Sequence, residues 1–208
     1  MRKMKDLMFE VIFDTETKKF FDDIGEFDPS KLGVSITSVY SRSLDEKLNE
    51  IDGKMQSFWE KDFDEMFKLF EKADRIIGFN SINFDIPALS PYLPPHWPKL
   101  KHFDILTEIK KTEGKRMSLD SLAKATLGST KNDKGTNAIK YWNAGDPKSL
   151  AKLKKYCEMD VAITRDIYDY TLKNGILKYV DFWNETREIK LDFSYPKIDS
   201  STVQDSLF

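Results

Sequence analysis

The chain has 208 residues and a formal net charge of −2, so it is long enough for one domain with a proper core and is not a basic coat for nucleic acid. No stretch approaches the roughly 20 apolar residues of a membrane span, and the basic start, Met1 to Asp6, does not read as a signal peptide. The single Cys157 excludes an intrachain disulfide and fits a reducing compartment, so the expectation is a cytoplasmic protein with no membrane partner.

Leu7 to Phe13 is mostly apolar, carries β-branched Val11 and Ile12, and reads as a buried strand ending at Asp14. Gly33 to Tyr40 reads as a second strand and Lys54 to Trp59 as a weaker third. Asp62 to Ala73 places Phe63, Met66, Phe67 and Phe70 at helical spacing. Arg75 to Phe79 is a short buried strand. Asn83 to Leu89 opens a helix, followed by a Pro-rich loop from Pro91 to Pro98. Phe103 to Lys111 and Ser118 to Gly128 read as helices, and residues 129–147 as a polar connection. Pro147 to Lys173 is a long helix stopped by Asn174-Gly175. Tyr179 to Trp183 and Glu188 to Phe193 form a hairpin within about 176–193, and residues 194–208 a mobile tail. Residues 1–193 are thus expected to form one α/β domain with a mixed central sheet flanked by helices, its early strands antiparallel.

Four acids in three islands carry the chemistry. Asp14 and Glu16 are two residues apart on a strand and share a face. Asp85 closes the segment from Asn80 to Asp85, in which the Asn80 side chain can close the turn and Phe84 can plug the core. Tyr156 and Asp160 are one helical turn apart. Each island also has a plain structural reading: surface acids at a strand end, a helix N-terminal acid, and a helix pair with Tyr buried and Asp exposed. Together, carboxylates of this kind suit hard divalent cations, Mg²⁺ or Mn²⁺. Lysine-bearing strips that could meet phosphates are Lys110, Lys111, Lys115 and Arg116, and Lys131, Lys134 and Lys140.

In combination the islands resemble the DnaQ-like (DEDD) superfamily of 3′–5′ exonucleases, which have an RNase H-like fold. Asp14-Thr15-Glu16 matches the first exonuclease motif. Asn80 to Asp85 matches the second, in the form seen in family-B polymerase proofreading domains. Tyr156 and Asp160 match the third in its tyrosine variant, whereas the histidine variant would need His where Lys155 stands. His96 and His102 lie far from this motif. The resemblance covers about residues 7–175, extends to helicase-associated exonuclease domains, and suggests a stand-alone exonuclease or a fragment of something larger.

The resemblance implies two divalent cations: Asp14 on both, Glu16 and Asp160 completing the site of the water-activating one, and Asp85 serving the second. Tyr156 would orient the attacking water. Thr15, Thr17, Asn80 and Phe84 would lie against the terminal nucleotide. The implied substrate is the single-stranded or frayed 3′ end of DNA. An RNA 3′-trimming enzyme and an inactive binding domain are the competing readings. At the C-terminus, Gln204, Leu207 and Phe208 resemble a bacterial sliding-clamp binding motif, which implies a clamp as partner.

Overall fold

The first strand, β1 (Met8–Thr17), alternates its side chains between two faces, and both are covered. The structure, a computed structural model, describes residues 7–95, 100–128 and 136–195. After β1 come α1 (Phe21–Ile24), β2 (Val34–Leu44), β3 (Glu50–Trp59), α2 (Phe63–Lys72), β4 (Arg75–Gly78), α3 (Asp85–Leu89) and β5 (His102–Asp104). Then follow α4 (Ile105–Glu113), α5 (Leu119–Leu127), α6 (Thr136–Ala144), α7 (Pro147–Asn174), β6 (Ile176–Val180) and β7 (Thr186–Lys190). The main sheet has the order β3-β2-β1-β4-β5. β1, β2 and β3 are antiparallel neighbours, while β4 and β5 run parallel to β1. The α/β class and the mixed sheet are as expected.

Val11 and Phe13 pack on the α2 side with Phe63, Met66, Phe67 and Phe70. Ile12, on the other face, packs with Val161, Ile167 and Tyr168 of α7 and with Leu122 of α5. The long helix is well terminated: the Asp146 carboxylate accepts from the Lys148 and Ser149 N–H groups, Pro147 takes the first helical position, and Gly175 closes the end at φ +68°.

Several boundaries differ from the sequence reading. β1 does not end at Asp14. Its ladder with β2 continues through Asp14↔Ser38 to Thr17↔Val34, so cross-strand pairing carries the strand past the apolar run. His102–Asp104 is a strand rather than the start of a helix, because Asp104 caps α4 by accepting from the Thr107 N–H. The polar connection contains α6, whose Ala138 and Ile139 are buried. The hairpin turn falls at Asp181 to Glu185, where the Asp181 carboxylate accepts from the N–H groups of Trp183 and Glu185. Residues 181–183, expected in a strand, are therefore in the turn. Ser194 and Tyr195, expected in the mobile tail, are tied down: Arg75 donates to the Ser194 carbonyl, and the Tyr195 hydroxyl donates to Glu10. His96, Lys131, Lys134, Gln204, Leu207 and Phe208 lie outside the described residues. Among the described residues no helix is long and apolar enough to cross a membrane.

Candidate metal centre

The strand alternation that buries Ile12 under α7 also aims Asp14 and Glu16 at that helix. From α7, Tyr156 and Asp160 come down one turn apart, and both are buried, so the plain reading of a helix pair with Tyr buried and Asp exposed does not hold. One ligand oxygen from each of Asp14, Glu16 and Asp160 lies within 4.8 Å of the others. Beneath them the Cys157 thiol donates to the Asp14 carbonyl at 3.4 Å and lies 3.8 Å from its carboxylate.

The neighbours register the negative field of this cluster. The Tyr156 phenol is held far above its ordinary value by burial and then by the charges of Asp160, Glu16 and Asp14. Its hydroxyl also hydrogen-bonds the Asp160 side chain. Cys157 is pushed up in the same way, by burial first and then by Asp14 and Glu16. Both therefore remain protonated near neutral pH.

Asp85 stands outside the three-carboxylate group. It is the first residue of α3 and is 4 % exposed. Burial pushes its carboxyl up to about 7, against the backbone N–H groups of Asp85 and Thr15; the charges of Asp104 and Asp160 add to the rise. The loop that delivers it folds back tightly on β4. A Cβ at Gly78 would meet the Ser81 side chain at 2.5 Å, so glycine permits the approach. Asn80 adopts the left-handed conformation at φ +64°. Its carbonyl accepts from the N–H groups of Asn83 and Phe84. The turn is thus closed by the main chain of Asn80, not by its side chain, whose buried Oδ1 has no hydrogen-bond partner among the described residues.

The buried Asp104 carboxylate holds this loop, accepting from the N–H groups of Asn80 at 2.9 Å and Ile82 at 3.0 Å. Sequence reasoning missed Asp104 because its strand is three residues long. The available signal was an Asp three residues before Thr107 at the head of an apolar helix.

The other expected contact residues are less available. Thr15 is buried, its hydroxyl hydrogen-bonded to that of Thr37 at 3.1 Å. Thr17 is buried and donates to the Lys19 carbonyl. Both hydroxyls are thus engaged within the protein. Phe84 is half-buried and sits edge-on to Phe21 with ring centroids 6.2 Å apart, so it braces α1 rather than plugging the core.

The donor set fits a hard divalent cation: oxygen ligands only, gathered within the span that a small octahedral ion can bridge. A model of the RNase H superfamily matches residues 11–172, which include all four acids and Tyr156. A comparison with curated proteins finds no match.

Proposed function

The chain belongs to the RNase H superfamily, and we propose that it is a metal-dependent 3′–5′ exonuclease of the DnaQ-like, tyrosine-bearing kind, acting on single-stranded or frayed DNA ends. Membership supports a nuclease-type activity with divalent cations. The finer reading rests on one observation: Asp14 and Glu16 of β1 meet Asp160 of α7 within 4.8 Å, with Tyr156 one turn before Asp160.

In this reading Asp14, Glu16 and Asp160 would hold one cation, and Asp85, together with Asp14, would serve a second. Divalent cations, when bound, supply Lewis acidity that acidifies water and offsets charge at a phosphodiester. The residues do the rest. Tyr156, kept protonated, presents a hydroxyl at the carboxylate cluster and can donate to water or to a phosphate oxygen. Cys157 supports the β1 main chain at Asp14. Asp104 fixes the loop that sets Asp85. The complete set of acids argues against an inactive binding domain, since gathered like charges cost stability without a cation.

The deciding experiment compares 5′-labelled single-stranded DNA and RNA of one sequence, with Mn²⁺. The expected result is a ladder shortening from the 3′ end of DNA and release of nucleoside 5′-monophosphates. Cleavage confined to RNA would move the assignment to RNA trimming, internal cuts would exclude an exonuclease, and no cleavage of either would favour the binding domain.

A further inference from the structure

Beside the carboxylates lies a groove of about 660 Å³ lined by Ser35, Trp59, Glu60, Lys61, Trp142 and Leu150. Its two indoles come from different elements, the end of β3 and α6. They face each other with centroids 6.4 Å apart and planes 27° from parallel. Two van der Waals contacts of roughly 3.5 Å stacked on one another need about 7 Å. A slight opening therefore admits one flat ring between them. Both indoles are half-buried, which leaves apolar faces open to solvent in the groove.

The groove is joined to the acidic centre by the sheet itself. Glu16 pairs with Ile36, and Ile36 pairs with Trp59, so the three lie in one cross-strand row. Neighbours in such a row project to the same face, and two strand spacings put Trp59 about 10 Å from Glu16. Ile36 also forms a small core with Tyr156 and Cys157, against which Trp59 and Trp142 pack. One strand of nucleic acid can occupy both places.

The charge around the groove matches that occupant. Lys18 lies 5.2 Å from the Trp142 ring centre and is ion-paired with Glu60. Lys61 lines the groove, and Lys152 lies 5.6 Å from the Tyr141 ring. Aromatic faces interleaved with lysines are the elements that hold unpaired bases and their phosphates without reading sequence.

We infer that the Trp59–Trp142 groove is a base-stacking subsite that takes one unpaired base of the strand whose end lies at the carboxylates. The subsite rests on the nuclease reading for its ligand. It sets where the strand is held, and Glu60 keeps Lys18 at the groove until a phosphate competes for it.

The test is binding of a single-stranded DNA oligonucleotide, followed by fluorescence anisotropy, with Ca²⁺ replacing the catalytic cation. Abasic sites are placed one at a time along its 3′ portion. Wild-type protein should lose roughly 5- to 100-fold in affinity at one position near the 3′ end, the range expected for one stacked base. Trp142→Ala should weaken the intact oligonucleotide by a similar factor and pay no further penalty at that position, as coupled partners do. Trp142→Phe should restore most of the affinity, and Trp183→Ala in the distant hairpin turn should change nothing. If Trp142→Ala does not fold, Trp59→Leu replaces it in the same cycle. An abasic penalty equal at all positions, or unchanged in the variant, overturns the subsite while leaving the nuclease reading standing. No binding of any oligonucleotide by the wild type overturns both.

Discussion

The two ends of β1 hold carboxylates in opposite ways. At one end Glu10 is fully buried, and Arg42 donates to it from Nε at 2.7 Å. The Tyr168 and Tyr195 hydroxyls donate to its other oxygen. Arg42 also grips Asp169 through both terminal nitrogens, at 2.8 and 2.6 Å. Arg75 completes the network by donating to the Tyr168 hydroxyl and the Phe193 carbonyl. At the other end Asp14 and Glu16 are gathered with Asp160 into one acidic group. The same helix serves both ends, since α7 runs opposite to β1 and brings Tyr156 and Asp160 to one and Tyr168 and Asp169 to the other. The twelve residues between Tyr156 and Tyr168 rise about 18 Å, close to the roughly 20 Å from Glu10 to Glu16 along the strand. A carboxylate that the fold uses is answered by cations inside the protein. Acids that are concentrated together instead are arranged for a charge brought from outside.

The sharpest way to break this contrast is to remove one acid from the gathered end. Asp14→Ala or Asp160→Ala should lower Mn²⁺-dependent cleavage by at least about 10³-fold, no less than the loss of one preorganised transition-state donor. Their metal-free stability should hold or rise, because like-charge repulsion is relieved. Wild-type turnover in either well-folded variant would remove that residue from the centre.

The same substitution at the other end should have the opposite signature. Glu10→Ala leaves the Arg42 Nε–H and the Tyr168 and Tyr195 hydroxyls without their buried acceptor, although Asp169 still pairs the guanidinium charge; each donor left unmet costs about 1–3 kcal/mol. Urea unfolding should show that loss, while the surviving folded fraction cleaves at the normal rate. If Glu10→Ala instead abolished activity at unchanged stability, the division between the two ends would be wrong.

Much of this division was legible in the sequence, but unevenly. Asp14, Glu16, Asp85, Tyr156 and Asp160 stood out because strand alternation and helical spacing are local rules. The elements around them were read less well where tertiary pairing decides. β1 outruns its apolar segment because β2 pairs with it as far as Thr17. α6 carries Gly- and Asn-rich flanks that hide a helix stabilised by burial of Ala138 and Ile139. The Glu10 network was invisible, since it joins residues 32 to 185 positions apart and no local pattern links Glu10 to Arg42 or Tyr195. Asp104 was missed for a related reason: its partners, Asn80 and Ile82, lie on another strand's loop.

A cation supplied to the gathered end should stabilise the fold, because only the folded chain assembles the ligands. At a hundredfold excess over Kd, Mn²⁺ should add about 2.7 kcal/mol. For a chain of this size that is a rise in melting temperature of roughly 5–10 °C. Asp14→Ala should lose most of the rise, and Glu10→Ala, starting from a lower melting temperature, should keep it. An equal rise in Asp14→Ala would mean that Mn²⁺ binds elsewhere.

The smallest effect isolates Asp85 in the metal-free protein. Its carboxyl is pushed up to about 7 by burial and then by the charges of Asp104 and Asp160, above its unfolded value near 4. A raised acid makes the folded state bind more protons than the unfolded one. Its contribution is fully present below about pH 4 and is lost as pH rises through 7. His102 opposes this in the same window: burial lowers its pKa, so stability falls as pH drops below its ordinary value. The informative quantity is therefore the difference between Asp85→Asn and wild type, in which the His102 contribution cancels. With chelator present, Asp85→Asn should melt near the wild-type temperature at pH 4 and a few degrees above it at pH 8, the gap opening between those values. Saturating Mn²⁺ should reverse the order at pH 8, since the wild-type carboxylate then faces a cation. A difference that stays flat from pH 4 to 8 without metal would show that folding does not raise the Asp85 carboxyl, and that burial beside Asp104 and Asp160 does not set its charge.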